Sequence, residues 1–99
     1  MTKDSAEYVD REMLHGHLTL LALAALNREP LHGYGLRRRL AERSGRGLQV
    51  SLGRLYPLLA ALERQRLIRS KAVTVGARRE RRVYTLTAQG CARLALLRR

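Results

Sequence analysis

The sequence has no tryptophan and no phenylalanine, and its aromatic residues are four tyrosines among 99 residues. A core must therefore be built mainly from leucine and alanine. Apolar residues make up 45% of the chain, which is enough for a packed core and argues against wholesale disorder. A chain of this length forms one small domain, and no internal repeat or linker divides it.

Cysteine and long apolar runs are also scarce. Cys91 is the one thiol, so no internal disulfide can form, and the composition fits a reducing compartment. The longest apolar run, Leu18 to Leu26, is interrupted by Thr19 and is far shorter than the roughly 20 residues of a membrane-spanning helix. Acidic residues precede this run, which argues against a signal peptide. We expect a cytoplasmic protein with no membrane partner.

Negative charge is the third scarcity. The chain has 8 acidic residues against 20 basic ones, a formal net charge of +12. From residue 13 onward 18 basic residues face 4 acidic ones. Nearly all the basic residues are arginines, whose guanidinium forks suit phosphates and guanine edges. This balance favours an anionic polymer as the partner.

Catalytic and metal-binding patterns are missing from the sequence. His15 and His17 are two positions apart and would diverge on a helix, while Cys91 is predicted to be buried. No histidine or cysteine pair has the spacing of a zinc site. There is no nucleophile triad, nucleotide-binding glycine loop or carboxylate pair. We therefore predict no metal, no cofactor and no enzymatic activity.

The first third of the chain has the periodicity of two helices. Residues 1–10 are polar and are predicted to form an arm, and a first helix is predicted over residues 12–27. The segment Asn27 to Gly33 ends it, and a second helix follows from about Tyr34 to Arg43. The first helix is apolar on two faces, and a helix of this kind must bury both. We expect the second face, which contains Leu20, Leu23 and Ala24, to meet another subunit.

The rest of the chain predicts a third helix, a hairpin and a last helix. Leu48 to Val50 is predicted as a short strand, and Ser51 as the N-cap of a helix that ends near Gln65. Ile68 to Val75 and Arg81 to Leu86 are predicted as paired strands around a turn. Thr87 caps the final helix, whose inner side is predicted to contain Cys91, Leu94 and either Leu97 or Ala95.

This order predicts a winged helix-turn-helix, a mainly α fold with a small β-hairpin. It has a three-helix core, a wing and a C-terminal helix. Residues 11–86 are predicted to form a DNA-binding domain, and residues 87–99 the last helix.

The N-terminal half of the third helix is the predicted base-reading element, because one helix fits the major groove of DNA. Gly53 would let the backbone approach a phosphate or sugar closely. Arg54 is predicted to reach a guanine, and Tyr56 a phosphate or a thymine methyl group. Ser51 and Arg64 complete the candidates on this helix.

The hairpin and the second helix supply the remaining DNA candidates. Lys71 and Arg81 belong to a dense basic cluster, and Arg78 and Arg79 are predicted at the tip, in the minor groove or on phosphates. The start of the second helix is predicted to cross the DNA backbone. Its phosphate-contact candidates are Tyr34, Arg37 and Arg38.

Several segments of this chain resemble the PadR family of bacterial transcription regulators. Two are specific, Pro-Leu-His-Gly-Tyr-Gly at residues 30–35 and Gly-Arg-Leu-Tyr-Pro at residues 53–57. With the flanking segments they cover roughly residues 14 to 92. The matching segments are Leu20 to Leu26, Glu29 to Gly35, Val50 to Leu59, Leu62 to Arg69, and Arg81 to Thr87 followed by Gly90.

The resemblance implies a homodimeric repressor that binds an inverted repeat in a promoter operator and associates with the nucleoid when bound. It implies DNA contacts by Tyr34, Ser51, Tyr56 and the basic residues of the wing. It also implies release by a small aromatic, phenolic or drug-like effector. The first and last helices would form the dimer interface, for which we predict Leu14, Leu18, Leu21, Leu94 and Leu97.

The chain departs from the family pattern in its recognition helix. Leu52 and Arg54 stand where the family commonly has proline and then serine or threonine, so its operator is expected to differ. The absence of tryptophan and phenylalanine leaves no evident aromatic cage for an effector.

Two other classes of function remain open from the sequence. The first is a protein-interaction module, an antirepressor or adaptor, which predicts no preference for any operator. The second is a structure-selective RNA-binding protein, although the chain lacks the surface aromatics usual for stacking on single strands. Competition between duplex DNA and an RNA stem-loop separates the RNA alternative from DNA binding.

Overall fold

The computed structural model describes residues 16–43, 50–76 and 79–99. Residues 16–28 are helical and are called α1. The remaining elements are β1 (Leu31–His32), α2 (Gly33–Arg43), α3 (Leu52–Arg64), β2 (Ile68–Val75), β3 (Arg79–Leu86) and α4 (Ala88–Leu97). The predicted winged helix-turn-helix is confirmed, with α2 and α3 as the helix pair and β2 and β3 as the wing. The predicted arm at residues 1–10, Leu14 and Arg78 lie outside the described residues.

The sheet has three antiparallel strands in the order β1-β3-β2. The hairpin pairs Ile68 with Leu86 at its base and Val75 with Arg79 at its far end. Gly76 follows with a φ of 70°, a left-handed conformation that glycine adopts without strain. The predicted hairpin is therefore confirmed, and β3 begins two residues earlier than expected.

The third strand lies elsewhere than predicted. Leu31 pairs with Tyr84 and His32 with Val83, in a segment that the sequence predicted only as a helix-breaking turn. Val50, expected to end a short strand, is not in a strand, and residues 48–49 lie outside the described part. A strand of two residues has no alternation to detect, because its existence depends on a partner about fifty positions away.

The core is built from leucine and alanine, as the composition requires. Leu23 and Ala24, on the second apolar face of α1, are buried by the chain itself, as are the other residues from 22 to 26, whereas Leu20 and Leu21 are only partly buried. The expectation that a second subunit covers this face is therefore wrong for Leu23 and Ala24, and Leu20 stays partly exposed. Small side chains such as Ala22 and Ala25 let neighbouring elements approach the helix from several sides.

Two predicted interface residues also lie in this core. Leu18 and Leu94 are each 2% exposed in the single chain, which corrects their placement at a subunit surface. Leu21 is partly buried, whereas Leu97 is exposed.

The predicted helix caps are confirmed for α3 and α4. The Ser51 hydroxyl oxygen accepts a hydrogen bond from the Arg54 N–H at 3.2 Å. The Thr87 hydroxyl oxygen accepts one from the Gly90 N–H at 3.0 Å and donates to the Leu67 carbonyl at 2.9 Å. Thr87 therefore starts α4 and ties it to the residue that precedes β2.

The inner side of α4 is narrower than predicted. Gly90 and Leu94, one turn apart, are buried, whereas Cys91, Ala95 and Leu97 are exposed. At Gly90 the helix lies directly against the Leu67 carbonyl and the Leu86 side chain at the base of the hairpin, and the neighbouring positions of the helix are exposed. The prediction that Cys91 is buried is wrong for the same reason.

No helix within the described ranges is both long and apolar enough to cross a membrane.

Candidate nucleic-acid interface

Two cavities meet at Tyr34, the second residue of α2. The first has a volume of about 250 Å³ and is lined by Tyr34, Arg37, Arg38, Ala41 and Val50. The second has a volume of about 460 Å³ and is lined by His32, Gly33, Tyr34, Tyr56, Glu80, Arg81 and Arg82. We call the two cavities together the tyrosine cleft. It brings together five of the predicted DNA contacts: Tyr34, Arg37, Arg38, Tyr56 and Arg81.

The first turn of α2 positions Tyr56. A Cβ atom placed on Gly33 would lie 2.7 Å from the Tyr56 hydroxyl oxygen and 2.9 Å from its Cε1 atom. The ring of Tyr56 therefore packs directly against the glycine backbone. Tyr34 and Tyr56 remain 55% and 44% exposed, so both phenols stand at the surface of the cleft.

The three adjacent arginines of α2 have different surroundings. Arg39 forms an ion pair with Glu29 and lies 3.9 Å from a carboxylate oxygen of Glu42, so its charge is largely neutralised. The Arg37 Nε atom donates to the Val50 carbonyl at 3.0 Å, which ties α2 to the start of α3. Arg38 is exposed, and its guanidinium has no hydrogen-bond or ion-pair partner among the described residues.

The open side of α3 is lined by small residues between two arginines. Gly53, Pro57, Ala60 and Arg64 are exposed and recur at the spacing of one helix face. Arg54 is exposed beside Gly53, and Arg64 lies ten positions further, about 15 Å along the axis. Ser51 is exposed, and its hydroxyl oxygen serves as the helix cap. The face is therefore slender enough to enter a groove and carries a cation towards each end.

The basic side chains of the wing lie on two faces of the hairpin, because successive residues of a strand point to opposite faces. Opposite residues share a face, so Lys71, paired with Val83, lies on the same side as Arg81, paired with Val73. Arg82 lies on the other side, where its guanidinium donates to the Ser70 hydroxyl at 2.9 Å.

A hydrogen-bond chain fixes the wing to α3. The Ser70 hydroxyl that accepts from Arg82 donates to a carboxylate oxygen of Glu63 at 2.7 Å. Tyr84, on the same face, is 6% exposed, and burial raises the pKa of its phenol, with Tyr56 and Glu63 adding to the increase. The phenol therefore stays neutral at physiological pH and serves as a core residue.

Arg79 is the first residue of β3 and lies at the far end of the hairpin, where the sequence placed it. It pairs with Val75 at the distal end of β3 and is not in the turn itself. The strand continues beyond Arg81 because the hairpin stays paired up to Val75.

Sequence reasoning missed His32, Glu80 and Arg82 as lining residues of the cleft. His32 was assigned to a turn, although its position three residues before Gly35 is the spacing at which a side chain caps a helix. Glu80 and Arg82 carry no such local signal, because their places depend on strand register.

No group of three or more histidine, cysteine, aspartate or glutamate side chains that could hold a metal ion occurs among the residues that the structure describes.

Nothing among the residues that the structure describes requires glycine at position 53. A Cβ atom there would meet only the Ser51 hydroxyl oxygen, at 3.9 Å. We expect Gly53→Ala to leave thermal stability unchanged or slightly raised, since alanine is the better helix former. We expect it to weaken binding to duplex DNA about fivefold, through loss of a close backbone contact. Calorimetry and a fluorescence binding titration measure the two effects, and unchanged DNA affinity would refute the close approach.

Known proteins share both the sequence motifs and this architecture. The model of the PadR-like family of transcriptional regulators matches residues 22–96. A PadR family regulator from Eggerthella lenta is 31% identical, with a TM-score of 0.78 over 98% of this chain and 82% of its own. A PadR-like regulator from Bacillus cereus is 28% identical, with a TM-score of 0.75 over 88% and 82%. Comparison with curated proteins gives no match.

One relative was solved with a nucleic acid. Bacillus subtilis PadR in complex with operator DNA is 27% identical to this chain, with a TM-score of 0.72. The likeness covers 79% of this chain and 44% of that protein. The family match extends from α1 to α4 and agrees with the motifs at residues 30–35 and 53–57. The chain belongs to the PadR-like family of transcriptional regulators.

Proposed function

We propose that this regulator binds a promoter operator in double-stranded DNA as a homodimer and represses transcription. The observation that carries the proposal is the tyrosine cleft beside the open face of α3. Arg38 and Arg81 line the cleft, where Glu80 is the one acidic lining residue, and Arg54 is exposed on α3. An unbalanced positive surface of this kind attracts a polyanion. The relative solved with operator DNA supports the same reading.

In this proposal α3 enters the major groove, α2 crosses the backbone and the wing lies on the adjacent strand. Arg54 reads a base edge, and Gly53 allows the helix to approach closely. Phosphate contacts supply most of the affinity. Their proposed sources are Tyr34, Arg37, Arg38, Ser51, Tyr56, Arg64, Lys71, Arg78, Arg79 and Arg81.

The dimer is proposed from the apolar surface that the single chain leaves uncovered. Leu96 and Leu97 on α4 are 58% and 42% exposed, and Leu21 on α1 is only partly buried. A two-fold axis near these helices would place the two α3 helices about 34 Å apart, one turn of B-DNA. Such a dimer requires an inverted-repeat operator. Sedimentation of the parent protein and of the Leu97→Glu variant tests this interface. A variant that remains dimeric like the parent would show that Leu97 is not part of it.

Release from the operator by a small aromatic effector is proposed as the regulatory step, and the cytoplasm as the site of action. The effector is proposed from family membership alone. Titrating phenolic acids into the operator complex tests it directly.

The test of nucleic-acid binding is a titration of a random 20-base-pair duplex at several salt concentrations. We expect the logarithm of affinity to fall linearly with the logarithm of salt concentration. We expect Arg38→Gln to lower the affinity and to reduce the slope by about 0.9, the value for one phosphate contact. Arg93→Gln, which removes the same charge from α4, is the matched control.

The competing functions predict different results in the same assay. Preferential competition by an RNA stem-loop would favour the RNA-binding alternative. An absence of binding to either nucleic acid would favour a protein-interaction module.

A further inference from the structure

The two ring nitrogens of His32 have separate neighbours in the tyrosine cleft. Nδ1 accepts a hydrogen bond from the Gly35 N–H at 3.1 Å, so His32 acts as the N-cap of α2. Nε2 lies 3.1 Å from the Arg81 Nη1 atom on the wing. The ring therefore stands between the helix-turn-helix and the wing, half-buried beside Arg81.

These two contacts make conflicting demands on one ring. A neutral imidazole carries a single N–H, so an accepting Nδ1 requires that Nε2 hold the proton. The guanidinium of Arg81 has donors and no acceptor. The capping tautomer therefore points the Nε2–H of His32 at another donor.

Other protonation states do not remove the conflict. The opposite tautomer accepts from Arg81 but directs Nδ1–H at the Gly35 N–H, which uncaps α2. An imidazolium ring is a donor at both nitrogens and faces two donors. An acceptor placed between the Nε2–H group and the guanidinium would satisfy the helix cap, the ring and the guanidinium together, and no acceptor among the described residues is hydrogen-bonded to either group.

We propose that a non-bridging phosphodiester oxygen of duplex DNA accepts hydrogen bonds from His32 Nε2–H and from Arg81. The inference rests on the proposed function and assigns one phosphate to a defined pair of donors. The cavity in front of the pair has a volume of about 460 Å³, and Tyr34 and Tyr56 line it as well. One bound phosphate would thus join the wing to the first turn of α2.

Glu80 is the carboxylate among the residues that line this cavity. It pairs with Thr74, so it lies on the opposite face of the wing from Arg81. It forms no ion pair among the described residues. Its carboxylate opposes an anion in the cavity, and we expect Glu80→Gln to bind duplex DNA severalfold more tightly.

His32→Asn separates the cap from the phosphate contact. Asparagine keeps an oxygen that caps α2 and lacks the Nε2–H. We expect this variant to unfold at the parent's temperature and to bind a random 20-base-pair duplex about threefold to tenfold more weakly. Its salt dependence should equal the parent's, because the lost group is neutral.

Arg81→Gln removes the charged partner of the pair. We expect weaker binding together with a salt slope reduced by about 0.9. The double variant, His32→Asn with Arg81→Gln, should lose less affinity than the two single losses multiplied together, because both donors serve one oxygen. Arg93→Gln on α4 is the matched charge control and should leave the His32 effect unchanged.

Nitrogen NMR of histidine-labelled protein tests the tautomer independently of binding. In the free protein we expect His32 to carry its proton on Nε2, and we expect that N–H signal to move when duplex is added. Inorganic phosphate is the second probe. We expect it to move the same signal only at concentrations far above the concentration of duplex that does so. Movement with inorganic phosphate alone would overturn the proposal.

The results also distinguish this inference from the proposed function. Parent-like DNA affinity of His32→Asn, or a proton on Nδ1 in the free protein, would overturn the phosphate pair and leave DNA binding intact. A parent protein that binds no duplex would instead refute the proposed function.

Discussion

Gly90→Ala is expected to lower the midpoint of thermal unfolding by on the order of 10–20 °C, the largest effect we expect from adding a methyl group to any glycine of the described residues. A Cβ atom at this position would lie 2.1 Å from the Leu67 carbonyl oxygen and 2.6 Å from the Leu86 Cδ1 atom. The side chain of Leu86 can turn away, but the carbonyl of Leu67 cannot.

The Leu67 carbonyl is held by α4 itself. It accepts hydrogen bonds from the Thr87 N–H at 3.1 Å and from the Thr87 hydroxyl at 2.9 Å. Relieving the overlap must therefore break these bonds or lift the helix from the sheet. Overpacking of this kind costs about 3 kcal/mol, and each kcal/mol lowers the midpoint by about 4–8 °C in a domain of this size.

Gly53→Ala is the matched control, because it adds the same methyl group near the start of another helix. Among the described residues, the Cβ atom there meets only the Ser51 hydroxyl oxygen at 3.9 Å, an ordinary contact, so circular dichroism melting should show little change. Equal midpoints for Gly90→Ala and the parent would mean that α4 does not pack against the base of the sheet as described.

Arg54→Ala is expected to produce the largest change in sequence preference. Arg54 is the third residue of α3, and its side chain is exposed. The preceding glycine leaves the helix face open. A bidentate arginine–guanine contact discriminates between bases by about 1–3 kcal/mol. Affinity for the preferred operator should therefore fall about tenfold to a hundredfold, while affinity for random duplex should fall much less.

Arg38→Ala is the control for this prediction. Arg38 is exposed on α2, the helix proposed to cross the backbone, and a phosphate contact carries no sequence information. Its loss should weaken operator and random duplex by the same factor. Both duplexes should be titrated against both variants at one salt concentration. Equal losses on the two duplexes for Arg54→Ala would remove its base-reading role.

Local signals in the sequence were sufficient for most of the fold. Two kinds of signal act on neighbouring residues only: the leucine spacing of α3 and the capping hydroxyls of Ser51 and Thr87. The helices that depend on them were therefore predicted closely. The hairpin was predicted for the same reason, since alternation and a turn glycine are adjacent in the chain.

The errors arise where distant parts of the chain meet. The strand at Leu31–His32 exists only through its pairing with β3. The depth of α1 in the core and the exposure of Cys91 depend on how closely whole elements approach one another, which periodicity does not encode.

The candidate site also contains residues that local sequence signals predicted and residues that depend on distant contacts. Residue type and position in the element order were enough to select Tyr34, Tyr56 and Arg81, which the structure gathers into one cleft. The role of His32 was not predictable, because it depends on two contacts, one three residues away and the other 49.

The central claim is that the open face of α3 and the tyrosine cleft meet one double helix together. Its most direct test is selection of bound fragments from the genomic DNA of the source organism, followed by titration of the commonest motif against its scrambled sequence. The account predicts an inverted repeat with half-sites one helical turn apart, bound at least about a thousandfold more tightly than the scrambled duplex. Fragments without a shared motif, or equal affinity for both duplexes, would contradict it.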